Sequence, residues 1–406
     1  MKRIVKWIAI AAGVLLVIAG IGGFFFIRNM QSMMGGEVEL SYTHEQHEQE
    51  NEGSIVYMTA EITPEALMEI YTALGTGLEG NQTAVKLSTG EPPASNYLDP
   101  NLIKELVQSV NGTIVECNTA YGGSRSETAM HYQVAEDHGF TEIADVVIMD
   151  EDGSATIPVE GGTRLKENYV GAHFPEYDGF LVLSHFKGHA MAGFGGALKN
   201  IGMGCGSRAG KMEMHNDGKP FVKDVDGCIG CGSCQRICAH NAPIIENGKA
   251  HIDHERCVGC GRCLAVCPKD VIQPSSSSSV KSLNCKMAEY SLAVCQGRQH
   301  FHVSLICDVS PNCDCHSEND IPIIPDVGMF ASFDPVALDV ACADAVNQMP
   351  VIDGSVLSDN LKQDVHHGEG HDHFYMTHPD TEWKSCIEHA VKIGLGSDQY
   401  ELVDIG

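Results

Sequence analysis

Beyond residue 53 short β-branched runs alternate with stretches of helical period, and that alternation sets the expected fold. Residues 54–60, 83–87, 113–117, 145–149 and 180–184 read as strands, and residues 64–74 and 100–110 as helices. Asp99 before Pro100 is a helix start: the Asp side chain accepts from the first free amides, and proline at the first helical position gives up no needed donor. The rhythm returns late in the chain, with a helix at 280–294, a strand at 301–307 and a helix opened by Asp334 and Pro335 that runs to about Asn347. Strands alternating with helical crossovers predict an α/β sheet domain.

The pattern breaks in three places. Residues 7–27 carry no charge over 21 positions, a length that spans about 30 Å as a helix, the thickness of a bilayer core. The run ends in Gly22, Gly23, Phe24, Phe25, Phe26 and Ile27 rather than in a small-residue cleavage site, so it reads as a single-pass membrane anchor. The first cysteine is Cys117, which excludes a lipid-modified cysteine at the end of this segment. Residues 31–53 are polar and acidic, with Glu45, Glu48, Glu50 and Glu52, and read as a tether. The third break is a cysteine-rich stretch closed by Pro274 and five serines. The expected organisation is an anchor at 1–29, an acidic linker at 30–53, an α/β domain at 54–218 and 275–406, and a ferredoxin-like α+β module inserted at 219–274.

Composition narrows the chemistry. With 54 acidic against 26 basic side chains, the net charge of -28 repels phosphate backbones and argues against a nucleic-acid partner. Eight of the 17 cysteines fall in two tight runs suited to metal thiolates rather than disulfides. Cys228, Cys231, Cys234 and Cys238 follow C-x2-C-x2-C-x3-C, and Cys257, Cys260, Cys263 and Cys267 repeat it with Pro268 next; Ala239 stands in the corresponding place of the first run. A cubane iron–sulfur cluster needs four thiolates, of which one tight loop supplies three. Zinc takes two separated pairs, which would leave the third and fourth cysteines of each run superfluous. Gly230, Gly232, Gly259 and Gly261 suit loops that wrap closely and present amides to sulfur. Both runs resemble bacterial two-cluster ferredoxins, in which the fourth cysteine of each run serves the other cluster. That resemblance implies one [4Fe-4S] cluster on Cys228, Cys231, Cys234 and Cys267 and a second on Cys257, Cys260, Cys263 and Cys238. Lys2, Arg3 and Lys6 precede the apolar run and only Arg28 closely follows it, so the charge bias places the body outside the cytoplasm. Cluster insertion is ordinarily cytoplasmic and no twin-arginine pair is present, so charge bias and cofactor point opposite ways.

Upstream, residues 181–211 carry His185, Lys187, His189, Lys199, Asn200, Arg208 and Lys211 in what reads as a glycine-rich loop after a strand. Loops at strand ends are where α/β sheets bind ligands, and a basic segment in so acidic a chain suits a small anionic substrate. His185, Lys187, His189 and Lys199 are the candidate catalytic residues, against the alternative of a solvated basic face. Neither the Walker nor the dinucleotide glycine spacing is present. Cys307, Cys313 and Cys315 in CDVSPNCDC offer a further metal site, and His366, His367, His371, His373 and His378 a metal-binding or solvated loop. Asp334 fits a helix cap better than a catalytic acid.

The stretches VKLSTGEP from Val85, SHFKGHAMAGFGGALKNIGMGC, the paired cysteine runs, CDVSPNCDC, ASFDPVALD from Ala331 and the ending IGLGSDQYELV resemble the uncharacterised iron–sulfur-centre proteins grouped as domain of unknown function 362. The resemblance implies an α/β domain with a ferredoxin insert and brings no substrate. The expected function is a membrane-tethered redox protein passing electrons through two clusters, to or from a redox partner and a site in the α/β domain. The alternatives are an electron carrier or docking module without its own catalysis, and a metal-binding or delivery protein.

Overall fold

The computed structural model describes residues 54–406 apart from 76, 79–81, 121, 217–218, 239, 258–262, 264–266, 270, 275–279 and 364–371. The expected anchor and tether therefore lie outside the described residues, as do Cys260, the serine run, His366, His367 and His371. Among the described residues no helix is long and apolar enough to cross a membrane.

Eight strands form one sheet: β1 (Ser54–Thr59), β2 (Thr83–Lys86), β3 (Thr113–Glu116), β4 (Val146–Ile148), β5 (Gly179–His185), β6 (Gln299–Ile306), β7 (Gly328–Ser332) and β8 (Tyr400–Asp404). Their spatial order is β8-β1-β7-β6-β5-β2-β3-β4. Only β7 runs against its neighbours, pairing antiparallel with β1 and β6, while every other adjacent pair is parallel. From β2 the chain moves outward through β3 and β4, then returns to the other side of β2 as β5 and continues to β6. The order thus reverses between β2 and β5, and a crevice opens outside the carboxyl ends of strands at such a point.

Both faces of the sheet are covered, which is why the strands read as nearly continuous apolar runs. Leu181 and Leu183 of β5 pack with helices α1 (Pro64–Ala73) and α2 (Pro100–Ser109). Phe180 and Val182 face the other way, against helices α4 (Ala197–Cys205) and α6 (Val280–Cys295), while Ala135 of α3 (Thr128–Asp137) joins the layer of α1 and α2. Residues 197–215, expected as a glycine-rich loop, are instead α4 and α5 (Arg208–His215). The glycines serve packing: a Cβ at Gly202 would lie 2.5 Å from the Met287 carbonyl on α6, so only glycine allows the two helices this close.

Asp334 caps α7 (Pro335–Gln348), accepting from the amides of Val336 at 2.8 Å and Ala337 at 3.1 Å. Its other oxygen accepts from Ser54 Oγ at 2.7 Å and the Ser397 amide at 2.8 Å, tying the start of β1 to the approach to β8. Asp334→Ala removes a cap and two cross-chain bonds to a carboxylate, and is expected to lower stability by about 2–4 kcal/mol. The check is the midpoint of denaturant unfolding, and a loss under about 0.5 kcal/mol would show that the cap is dispensable.

The cysteine segment builds a small layer of its own. Residues Pro220–Val222 pair with Ile272–Pro274, and Pro243–Glu246 with Lys249–Ile252, both antiparallel. Between them Cys228, Cys234, Cys263, Ala250, Val271 and Ile272 form a separate core against which Met212 of α5 packs.

Candidate functional site

Three strand ends bring charged side chains to the crevice: Lys86 closes β2, Glu116 closes β3 and His185 closes β5. The crevice is a cleft lined by these three together with His189, Lys199, Lys211, His215, Cys117, Arg125, Cys313, Asp314 and Cys315. Its water-accessible volume is about 120 Å³, room for on the order of ten waters or a small metabolite.

Beneath it lies a buried charge network. Glu116 receives Lys86 Nζ at 3.1 Å and Arg125 at 3.2 Å, along with the Thr89 amide at 2.8 Å. Burial alone would raise the Glu116 pKa, but the two cations outweigh it and hold the carboxyl down to about 2. Arg125 also bridges to Glu91 at 3.2 Å and donates to the Asp314 carbonyl at 3.1 Å, so it clamps the loop after β6 onto the loops after β2 and β3. His131, buried behind, contacts Thr89 Oγ1 at 3.2 Å and Asn118 Oδ1 at 3.3 Å, and burial lowers its pKa to about 3.

The wall across from this network holds residues of the histidine and lysine segment. His185 donates from Nε2 to the Cys307 carbonyl at 2.7 Å and keeps Nδ1 3.6 Å from Asp314. Burial and Lys187 oppose its charge, yet Asp314 and the contact with Cys307 carry its pKa up to about 9. Lys187 turns away from the cleft: it is buried on the short hairpin Lys187–His189 and Gly193–Gly195, paired with Asp314 and the Asn96 carbonyl. Lys199 Nζ reaches Cys313 Sγ at 3.2 Å and Cys315 Sγ at 3.8 Å. Burial works against its charge, but the two sulfurs raise its pKa. Lys211 donates to the Gly206 carbonyl at 2.6 Å.

Of the four candidate catalytic residues, His185, His189 and Lys199 therefore line one cleft, and Lys187 supports it from behind through Asp314. Cys313 and Cys315 join them, with their sulfurs 2.7 Å apart. Cys307 stands instead beside His185, its sulfur 3.9 Å from Nε2. His373 contacts the Val346 carbonyl at 2.9 Å and His378 the Pro311 carbonyl at 2.7 Å, so both are held by backbone. Lys86, Glu116, Arg125, His215 and Asp314 escaped the reading of the sequence. Lys86 and Glu116 end strands and Asp314 lies between two cysteines of CDVSPNCDC, whereas nothing local marks Arg125 or His215.

Groups of donors close enough to hold a metal occur at His189, Cys315 and His316, at Cys295, His300 and His302, and at Glu151, Asp152 and His173. In the first group His189 Nδ1 accepts the amides of Met191 at 3.2 Å and Ala192 at 3.0 Å. The ring proton is then on Nε2, which makes that nitrogen a donor rather than a ligand.

The cysteine module has its own cavity, lined by Cys228, Cys231, Cys234 and Cys267. Cys228 Sγ accepts the Ala250 amide at 3.3 Å, and Cys238 Sγ the Ala242 amide at 3.4 Å. Gly230 sits at φ +66°, where a Cβ would lie 2.4 Å from the Gly248 carbonyl, so the loop demands glycine both for conformation and for space. Four thiols around one cavity, with an amide aimed at sulfur and a loop that admits no side chain, fit an iron–sulfur cluster.

The helix α5 joins the two places. Lys211 and His215 face the cleft while Met212 packs on the cysteine core. Lys286 on α6 fixes its carboxyl end, donating to the carbonyls of Glu213 at 2.9 Å and Asn216 at 2.6 Å.

A family model described as Domain of unknown function (DUF362) matches residues 83–344, well over half the chain. No curated protein matches it. Among solved structures, the lactate racemase apoprotein from Thermoanaerobacterium thermosaccharolyticum is similar at 13% identity and a TM-score of 0.38, covering 88% of this chain and 84% of that one. A Thermotoga maritima protein solved by structural genomics is similar at 12% identity and a TM-score of 0.33, covering 70% of this chain and 58% of that one. Likeness at this level says nothing about chemistry.

Proposed function

The chain belongs to the family described as Domain of unknown function (DUF362), and from that premise and the geometry of its two sites we propose an iron–sulfur redox protein that acts on a small anionic molecule in the cleft. Cys228, Cys231, Cys234 and Cys267 would hold one [4Fe-4S] cluster, and Cys257, Cys260, Cys263 and Cys238 the second. Such clusters supply one-electron transfer. The observation that carries the reading is α5, whose Lys211 and His215 reach the cleft while Met212 packs on the cysteine core, separating the two by about one helix diameter, roughly 10 Å.

The chain's own residues define what the cleft accepts. Lys86, Arg125, Lys199 and Lys211 line it against the carboxylates of Glu116 and Asp314, an excess of positive charge in a strongly acidic protein. Lys199 is the cation most open to a ligand, because it is only partly buried while Lys86, Arg125 and Lys211 are buried, and the side chains it contacts are the thiols of Cys313 and Cys315. His185, whose pKa is carried up to about 9, is placed to give a proton to a bound anion as it is reduced, and His189 offers its Nε2–H as a hydrogen-bond donor. The membrane tether at residues 7–27 belongs to the same proposal and would keep this chemistry beside a membrane-bound redox partner.

The test of the cleft is binding. Titration of anaerobically purified protein with succinate and with inorganic phosphate should show saturable binding, and Lys199→Met should weaken it about tenfold or more while iron content stays unchanged. Equal affinity in the variant, or no binding of any anion by the wild type, would remove the cleft from the proposal.

A further inference from the structure

Cys313 and Cys315 lie at the cleft floor with their sulfurs 2.7 Å apart, inside van der Waals contact and only about 0.7 Å beyond a disulfide bond. The turn that produces this is local: the Cys315 amide donates back to Cys313 Sγ at 3.4 Å, which brings both side chains to one side of the chain. Their exposures differ. Cys313 is buried, with its side chain 3.7 Å from where a Cβ on Gly195 would stand, whereas Cys315 is half-buried at the cleft. Lys199 Nζ lies within 3.8 Å of both sulfurs, so a thiolate at either faces a positive charge. Ring nitrogens of His189 and His316 lie within 4.8 Å of Cys315 Sγ, so His316 offers proton exchange at that atom and the Nε2–H of His189 a hydrogen bond to it.

We propose that Cys313 and Cys315 form a redox-active dithiol that reduces a small disulfide in the cleft by thiol–disulfide exchange. This goes beyond the cluster reading and stands on thiol chemistry alone. The Cys315 thiolate attacks one sulfur of the substrate; the substrate S–S bond breaks, and its other half leaves as a thiolate that takes a proton. Cys313 then loses its proton and attacks Cys315 Sγ in the mixed disulfide, releasing the second half as a thiol. In sum one substrate disulfide and two cysteine thiols become two substrate thiols and one Cys313–Cys315 disulfide, so the substrate gains two electrons and the pair loses two. The half-buried Cys315 is the attacking cysteine and the buried Cys313 resolves, because Cys315 is the more accessible of the two thiols lining the cleft.

Full-length protein, purified without oxygen, is treated with oxidised glutathione, alkylated, and mapped by mass spectrometry that resolves each cysteine. The wild type should yield an intramolecular 313–315 disulfide that dithiothreitol reverses. Cys313→Ser should trap glutathione on Cys315, since the resolving thiol is gone. Lys199→Met should slow alkylation of Cys315 by iodoacetamide at neutral pH about tenfold. The proposal is overturned if both cysteines stay thiols in the wild type and Cys315 takes no glutathione in Cys313→Ser. It is equally overturned if the pair carries a stoichiometric metal ion that Cys315→Ser releases. Iron and acid-labile sulfide are measured on the same samples, so loss of the cluster reading leaves this result readable, and the reverse also holds.

Discussion

Cys234→Ala is expected to lower the iron of anaerobically purified protein from about eight to about four atoms per chain, with acid-labile sulfide falling in step. Cys234 is buried in the cysteine core and shares its cavity with Cys228, Cys231 and Cys267, so under the proposed assignment its loss would remove one thiolate from one cubane and leave the other set of thiols intact. The structural penalty should be small beside the metal loss, because Cys and Ala are close in volume and the neighbouring Val271 and Ile272 remain. Cys386→Ser is the control: Cys386 is buried against the α/β domain, and iron should be unchanged. Electron paramagnetic resonance of the reduced variant should show one cluster signal without the broadening that two neighbouring clusters produce. An unchanged iron count would break the assignment of Cys234, and about one zinc per cysteine run without sulfide would break the whole cluster reading.

The sheet was legible in the sequence where local chemistry and burial agreed. Proline after Asp99 and Asp334 marked two helix starts, and both aspartates accept from the first-turn amides as expected. Strands buried on both faces announced themselves as apolar runs, which is why β2, β3, β5 and β6 were placed to within two residues. β7 and β8 passed unread. The antiparallel β7 follows a long irregular connection and contains Met329, Phe330 and Ala331, a run too short to separate from a helix segment by period alone. The helices α4 and α5 were hidden by their glycines, which read as loop until the packing partner on α6 is known. The site was half legible: the histidine and lysine segment pointed to the cleft, and the CDVSPNCDC cysteines to the same floor, but the Lys86, Glu116 and Arg125 network is assembled by strand pairing between segments about thirty residues apart. Spacing within one segment cannot reveal that.

Glu116→Ala is expected to destabilise the fold by about 3–5 kcal/mol, because it leaves the buried Lys86 without a carboxylate partner and the buried Arg125 with Glu91 alone. The side chains of Lys86 and Arg125 are 1% and 4% exposed, so neither can turn to water once Glu116 is gone. Removing the charge while keeping the shape, as Glu116→Gln does, should cost nearly as much, since the amide still accepts from Thr89 but no longer balances the cations. The double variant Lys86→Met with Glu116→Gln should lose less than the sum of the single changes, because the pair is then removed together. The pH dependence follows in sign. The Glu116 pKa falls from an ordinary 4.5 to about 2, so its contribution is complete above pH 4.5 and is lost as pH drops toward 2. The His131 pKa, lowered by burial from 6.5 to about 3, adds stability that is present above pH 6.5 and likewise lost on acidification. Denaturation midpoints should therefore decline from pH 6.5 downward, steepening below 4.5, and Glu116→Gln should flatten the lower limb only. A midpoint that rises as pH falls from 6.5 to 4.5, or single-variant losses that simply add, would show that the three side chains do not act as one buried network.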